Sequence, residues 1–308
     1  MDRFGQPLNP GEWWIHVVAT ADVYILALIP AVLWGFSPIL SKRGMAGGGH
    51  ALQAALVVVC VDTVVYWGAL ATQSDPLRGI DATALGIFVI AGLVGTALGR
   101  IAVFIGVDRV GASINSAGIS TRPLFATLIA LVWLGEPLGP LTAVGIVILV
   151  AGLIVLAISK GGDLGGWEPL DLVYPVFAAL AFAAGNVIRR FGLTTTDLTS
   201  LQAVTLNETA ALLALGGFVL GTRRDVLQAP RKTYLYFTGS GLITAVALLS
   251  LFEAFNRGRV ALVDPLAGTA PLFTTIFAAV LLGDLERVTK GVVLGAAMIV
   301  VGAALITV

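Results

Sequence analysis

Thr121-Arg122-Pro123-Leu124-Phe125 stands inside an apolar segment that closes on Leu134-Gly135-Glu136, and Thr269-Ala270-Pro271-Leu272-Phe273 stands inside another that closes on Leu282-Gly283-Asp284. The two prolines are 148 residues apart, and without a gap that offset also pairs Thr96 with Thr244, Phe104 with Phe252, Arg109 with Arg257 and Thr127 with Thr275. Further out, Leu52-Gln53-Ala54 matches Leu201-Gln202-Ala203 at an offset of 149, and Tyr24, Gly35, Gly145 and Gly152 match Tyr174, Gly185, Gly295 and Gly302 at 150. The chain is an internal duplication whose unit is about half its length. That unit is too long for a solenoid repeat of roughly 20 to 50 residues; it suits a transporter made of two homologous bundles.

Composition gives the solvent. With 57% hydrophobic and 12% charged residues and a mean hydropathy of +0.96, the chain has too few charges to cover a soluble globule, so lipid surrounds much of it. A formal net charge of zero offers no electrostatic case for nucleic acid. Cys60 is the single cysteine, so no intramolecular disulfide forms. The first 20 residues mix Asp2, Arg3, Glu12 and His16 with Trp13 and Trp14. They lack the apolar core and small-residue cleavage site of a removed signal peptide, and the tryptophans read as interfacial anchors.

A membrane span needs about 20 mostly apolar residues. Ten such segments run over approximately 22–41, 51–72, 84–106, 110–133, 139–158, 171–189, 199–221, 233–254, 260–282 and 289–307, with Gly161 to Pro169 the longest polar break between them. The expected organisation is an N-terminal segment 1–21, a first five-helix repeat 22–160, a linker 161–170 and a second five-helix repeat 171–308. Five is odd, so the second repeat enters the membrane in the opposite sense. The predicted fold is therefore all-α and polytopic, ten transmembrane helices as two inverted five-helix repeats, with a site near the midplane where they meet.

These residues resemble the EamA-type branch of the drug/metabolite transporter superfamily. The resemblance rests on Trp34-Gly35 in helix one, the Pro-Leu-Phe of helices four and nine, and the Leu-Gly-Glu/Asp that closes both; helix six departs from it with Ala184 before Gly185. It covers the chain from about residue 22 and identifies the fold better than the solute. It implies a central cavity lined mainly by helices three, four, eight and nine with help from one and six. By that implication Arg100, Asn115, Arg122, Glu253 and Asp264 are cavity candidates, together with Trp34 and Asn186.

The residues have a reading of their own. Gly135, Gly145, Gly152, Gly283, Gly295 and Gly302 let helix backbones approach, since dispersion packing drives association in lipid. Pro123 and Pro271 each remove a backbone donor inside a span, so each is expected to kink its helix. A charge inside a span costs at least about 2.5 kcal/mol on insertion scales and turns toward protein or water, which singles out Asp62, Arg100, Asn115, Arg122, Asn186, Asn207, Glu208, Glu253 and Asp264. Arg122 and Arg100 have Ala270 and Leu248 as counterparts, so their charge is not part of the shared scaffold. Arg122 offers a planar fork of donors for a carboxylate or phosphate; a structural ion pair and a snorkelled position are the other readings. For Arg100 the expected role is pairing with Asp62, Glu208 or Glu253. Asp62 and Glu208 fall on nearly the same face of equivalent helices and are the proton-coupling candidates, with a bond to an arginine or backbone amide as the plain alternative. Arg189-Arg190 and Arg223-Arg224 read as interfacial anchors at helix ends.

No phosphate loop, His-Glu-x-x-His or nucleophile elbow occurs, and the two histidines, His16 and His50, fall outside the spans, so neither an enzyme nor a metal or cofactor site is expected. The expected partners are the lipid bilayer, a small-molecule solute and, if transport is coupled, protons. The expected location is the cell membrane with cytoplasmic termini, although that choice leaves six Lys or Arg inside against ten outside, opposite to the positive-inside tendency. The function read from the sequence is a secondary transporter of a small polar or amphipathic metabolite, an amino acid or related solute, exporting by alternating access around a midplane cavity. An uncoupled facilitator or exchanger, and a membrane-embedded binding or regulatory protein that does not translocate, remain as alternatives.

Overall fold

Apolar runs of the required length become helices at every place the sequence marks one. The computed structural model describes residues 10–159, 168–281 and 289–307, and among these it holds ten candidate membrane spans. Span one is Ala21–Ala46, two Ala51–Leu70, three Ala82–Gly106, four Asn115–Leu134 and five Pro140–Ser159; span six is Pro169–Thr195, seven Ser200–Thr222, eight Arg231–Arg257, nine Val260–Phe277 and ten Lys290–Thr307. No strand occurs among the described residues. The Trp13 and Trp14 side chains, most of the Gly161 to Pro169 linker and Leu282-Gly283-Asp284 lie outside the described residues.

The matched motifs turn out to be matched devices. Leu-Gln-Ala opens spans two and seven because its glutamine closes a capping box. The Gln53 Oε1 accepts from the His50 N–H at 3.3 Å while His50 Nδ1 accepts from the Leu52 N–H at 3.2 Å. In the other repeat Gln202 Oε1 accepts from the Thr199 N–H at 2.9 Å and Thr199 Oγ1 from the Gln202 N–H at 3.2 Å. Each box satisfies donors that a helix N-terminus leaves open.

The proline motif corrects the expected kinks. Pro123 and Pro271 do not bend a continuous helix; each sits in the first turn of a new one, Arg122–Ile129 and Ala270–Leu281, where a missing N–H costs nothing. The break before each is the same structure. Thr121 Oγ1 donates to the Gly118 carbonyl at 2.6 Å and Thr269 Oγ1 to the Leu266 carbonyl at 2.7 Å. In each the threonine's own N–H bonds to that same carbonyl at 3.1 Å, so side chain and backbone together fix the turn at the break.

Between spans three and four the helical pattern runs through Gly99–Ile119, yet Asn115 Nδ2 donates to the Val103 carbonyl at 3.3 Å. Twelve residues of straight helix would place them about 18 Å apart, so the chain doubles back there. Spans five and ten pack along a seam of glycines. A Cβ built on Gly302 would stand 2.7 Å from the Gly145 carbonyl oxygen, and one on Gly152 2.9 Å from that of Gly295, so backbone touches backbone as the small residues predict.

The other eight spans, with Leu153 of span five, surround the functional region, and their ends are unequal. The face at which span one begins and span ten ends, here the terminal face, is filled by a buried apolar cluster. Val23, Phe88, Leu198, Phe252, Phe255 and Val260 belong to it, and each comes from a span end or loop on that face. The opposite face carries a smaller buried cluster, with Leu52, Leu215, Val219 and Val226 among its residues, at the ends of spans two and seven, while Met45 and Ala51 beside it border a cavity.

Candidate functional site

Three adjoining chambers lie between the repeats, and Trp34 lines all of them. The first, about 350 Å³, is bounded by Asn115, Arg122, Pro123, Gly268 and Pro271, so both helix breaks open onto it. The second is the largest at about 430 Å³ and mostly apolar, with Met45, Ala51, Val58, Phe104 and Phe182 in its walls. The third, about 200 Å³, is polar and holds Thr96, Arg100, Arg122, Asn186, Arg189 and Glu208. Arg122 joins the first chamber to the third and Arg100 joins the second to the third. Met45 and Ala51 mark the last turn of span one and the first of span two, so the apolar chamber leads toward the face opposite the termini.

Beneath the chambers a hydrogen-bonded chain crosses from one repeat to the other. Arg122 Nε donates to Asp264 Oδ2 at 3.1 Å and Nη2 to the Asp264 carbonyl at 3.4 Å. Asn186 Nδ2 donates to Asp264 Oδ1 in a short bond. Arg189 uses all three nitrogens: Nη1 to Asn186 Oδ1 at 2.7 Å, Nε to Asn207 Oδ1 at 3.1 Å and Nη2 to Thr96 Oγ1 at 2.7 Å. The guanidinium also lies 5.3 Å from the centre of the Phe252 ring. Glu208 Oε1 closes the chain by accepting from Asn207 Nδ2 at 2.8 Å and Thr96 Oγ1 at 3.2 Å. Asp264, Asn207 and Glu208 are 0% exposed. Away from water a carboxylate persists as a charge only when paired and hydrogen-bonded, and a neutral amide such as Asn207 needs hydrogen-bond partners.

Local structure positions these groups. Thr96 lies in a π-helical stretch, Gly92–Leu98, a wider coil that re-aims side chains and recurs at functional sites. That stretch comes close because Gly95 faces Gly185, where a Cβ on Gly95 would be 2.7 Å from the Gly185 Cα. Asn186 follows Gly185, and Arg189 stands one turn on, at the i+3 spacing that aligns side chains on one helix face.

Several expectations are corrected by this geometry. Arg189 is not an interfacial anchor: at 4% exposure it is the centre of the buried chain. Arg190 is also turned inward, donating to the carbonyls of Phe255 and Asn256 at 2.5 and 3.0 Å and standing 3.7 Å from Glu136. Arg223 does remain at the surface, paired with Asp225 at 3.3 Å, and Arg224 Nε bonds to the Leu220 carbonyl beside it. Glu253 does not line a chamber; it pairs with Arg257 at 2.6 Å and accepts from Ser200 Oγ at 2.5 Å near the terminal face. Arg100 forms no ion pair with Asp62, Glu208 or Glu253 among the described residues, and its Nη1 reaches the Ala55 carbonyl at 3.5 Å. Trp34, Asn115, Arg122 and Asn186 do line the cavity, and Asp264 stands behind it through Arg122. Asp62 and Glu208 are both 0% exposed; neither Asp62 oxygen, nor Glu208 Oε2, has a hydrogen-bond partner among the described residues. Arg189, Thr96 and Phe182 are the site residues that sequence reasoning missed, and the i, i+3 pair Asn186–Arg189 is the signal that would have found the first.

The family model of the EamA-like transporter family matches residues 22–158 and again 172–308. The chain belongs to the EamA-like transporter family. It is accordingly a multi-pass membrane transporter of the drug/metabolite type, in contact with lipid and acting on a small solute. A solved crystal structure 17% identical in sequence superposes on this EamA-like chain with a TM-score of 0.75, covering 92% of it and 98% of its own length, a likeness of fold. No curated protein matches the sequence.

The terminal face of this EamA-like bundle is held shut by polar bonds as well as the apolar plug. Glu136, the acid that ends the first Leu-Gly-Glu, accepts from the Val260 N–H at 2.8 and 3.1 Å and from the Ala261 N–H at 3.4 Å. The carboxylate of one repeat thereby caps the first turn of span nine in the other. Arg259 Nη1 adds a bond to the Pro137 carbonyl at 2.9 Å, and Gln202 Nε2 ties span seven to the carbonyls of Pro76 and Arg78 at 3.2 and 2.8 Å.

Proposed function

We propose that this protein is a secondary transporter that carries a small amphipathic metabolite, an amino acid or related solute, outward across the cell membrane by alternating access. The observation that carries the reading is the inequality of the two faces: connected chambers lead to one, while an apolar plug and the Glu136 clamp close the other. Alternating access requires the clamp to release and the halves to rock about the midplane, which the two duplicated helix breaks favour. With cytoplasmic termini, the chambers lead outward. Arg122 and Arg100 give the cavity its positive charge. Asp62 or Glu208 takes up the coupling proton: both Asp62 oxygens and Glu208 Oε2 are buried without a hydrogen-bond partner among the described residues, an ionised carboxylate so placed costs several kcal/mol, and a protonated one supplies its own donor.

The test is uptake and counterflow in proteoliposomes with labelled amino acids, organic acids and phosphorylated sugars, with and without a pH gradient. Saturable flux that responds to the gradient supports coupled transport. Exchange indifferent to the gradient removes the proton and keeps the transporter. Absence of flux for every class, from folded protein, refutes translocation of these solutes and favours the binding or regulatory alternative.

A further inference from the structure

We infer that the cavity takes an organic anion with an apolar body, its anionic head on Arg100 and its body in the 430 Å³ chamber; this rests on the transporter reading and narrows it from amphipathic metabolites to anions. Three arginines stand in the bundle core, and two are already engaged. Arg122 holds Asp264, a carboxylate at 0% exposure, so a solute that captured it would strand a buried charge. Arg189 has each nitrogen committed to a side-chain oxygen. Arg100 has, among the described residues, a single hydrogen bond, 3.5 Å to the Ala55 carbonyl, and although its charge acts on the buried Asp62 the two form no ion pair. It is also the residue shared by the apolar and polar chambers, so an anion on its fork places the rest of the molecule in either.

The apolar chamber selects the body. Its walls are aliphatic and aromatic, Ala54, Val58, Phe104 and Phe182 among them, and its size is at the small end of sites for metabolites. Three of its hydroxyls are bonded to one another, Ser37 to Ser240 at 2.6 Å and Ser41 to Ser240 at 3.0 Å, and so ask little of a ligand. Among the described residues no acidic one lines it. A cationic or ammonium-bearing body would enter without a counter-ion, whereas an uncharged one gains from burial. A guanidinium binds carboxylate or phosphate oxygens in pairs, and such charge-assisted bonds are the strong ones.

Binding to the purified full chain by titration calorimetry tests this with three probes. N-acetylphenylalanine has the anion and the apolar body, N-acetylphenylalaninamide lacks the charge and N-acetylalanine lacks the body. The acid is expected to bind about tenfold or more tighter than either neighbour. Arg100→Gln should erase the difference between acid and amide while leaving the amide's affinity in place, and Arg100→Lys should keep part of it. Ala54→Phe, which fills the chamber, should weaken acid and amide alike. The inference is overturned if the wild-type chain binds the amide as tightly as the acid, or if folded Arg100→Gln keeps the preference. It is also overturned if the paired replacement Arg122→Gln with Asp264→Asn abolishes the preference while Arg100→Gln does not. Counterflow of N-acetylphenylalanine separates the two levels: Arg100-dependent binding without flux upholds the anion site and rejects translocation of this probe, and flux indifferent to Arg100 does the reverse.

Discussion

Replacing Glu136 should loosen the terminal face without touching the chambers. Its carboxylate caps the first turn of span nine through the Val260 and Ala261 N–H groups and stands 3.7 Å from the Arg190 guanidinium. Loss of a helix N-cap costs about 1 to 2 kcal/mol, and a partly buried ion pair adds roughly 0.5 to 1 kcal/mol. Glu136→Ala should therefore destabilise the state closed on the terminal face by about 1.5 to 3 kcal/mol. That shifts the equilibrium toward terminal-face opening roughly 10- to 150-fold. Glu136→Gln retains an acceptor for the cap and should shift it less. The assay is modification by a membrane-impermeant maleimide. The reporter is Leu251→Cys, at the edge of the polar chamber, with Cys60→Ala as background because Cys60 is exposed. Labelling from the terminal face should accelerate in Glu136→Ala and slow from the other. A labelling rate within twofold of the parent from both faces would show that Glu136 is an ordinary cap and not a clamp.

Arg189→Leu leaves Asn186 Oδ1 and Asn207 Oδ1 unpaired and should cost about 3 kcal/mol, read as a fall of roughly 6 °C in the detergent melting temperature; a change under 2 °C would mean the network carries little stability. Gly302→Ala forces a methyl against the Leu149 amide nitrogen, 2.5 Å away, and should cost roughly 1 to 3 kcal/mol. In contrast Gly68→Ala, which meets nothing within 4 Å, should be neutral or stabilising; equal effects would refute the seam as a backbone contact. Asp62→Asn and Glu208→Gln should separately be tested for flux under a pH gradient, and loss of gradient dependence with exchange intact is expected in the one that carries the proton. If both keep the dependence, proton coupling through this pair is wrong.

The spans were legible because lipid imposes a length and a composition on any segment that crosses it, and the repeat was legible because its devices, the capping glutamines and the Thr-x-Pro breaks, are local. The site was only partly so. Asn186 and Asp264 are 78 residues apart, and Arg122 and Asp264 142, so no spacing rule links them; candidate status came from the cost of burying their charge, not from their partners. Arg189 was misread because its neighbour Arg190 made the pair look like a helix end, although span six continues to Thr195. Glu253 was misread for the opposite reason. It lies within an apolar stretch by composition, but one helical turn from Arg257 at the end of span eight, where the pair reaches the interface.

The glycine seam of spans five and ten limits what kind of machine the duplicated chain can be. Gly145 stands against Gly302 and Gly152 against Gly295, with Leu149, Leu153, Ile299 and Ile306 packed beside them, and prising the two helices apart would sacrifice the contacts along the line at once. Turning one about the other sacrifices few. In the proposed rocking motion the seam would serve as an axle, the halves opening as scissor blades do, by changing angle around a fixed rivet, and not as jaws that part.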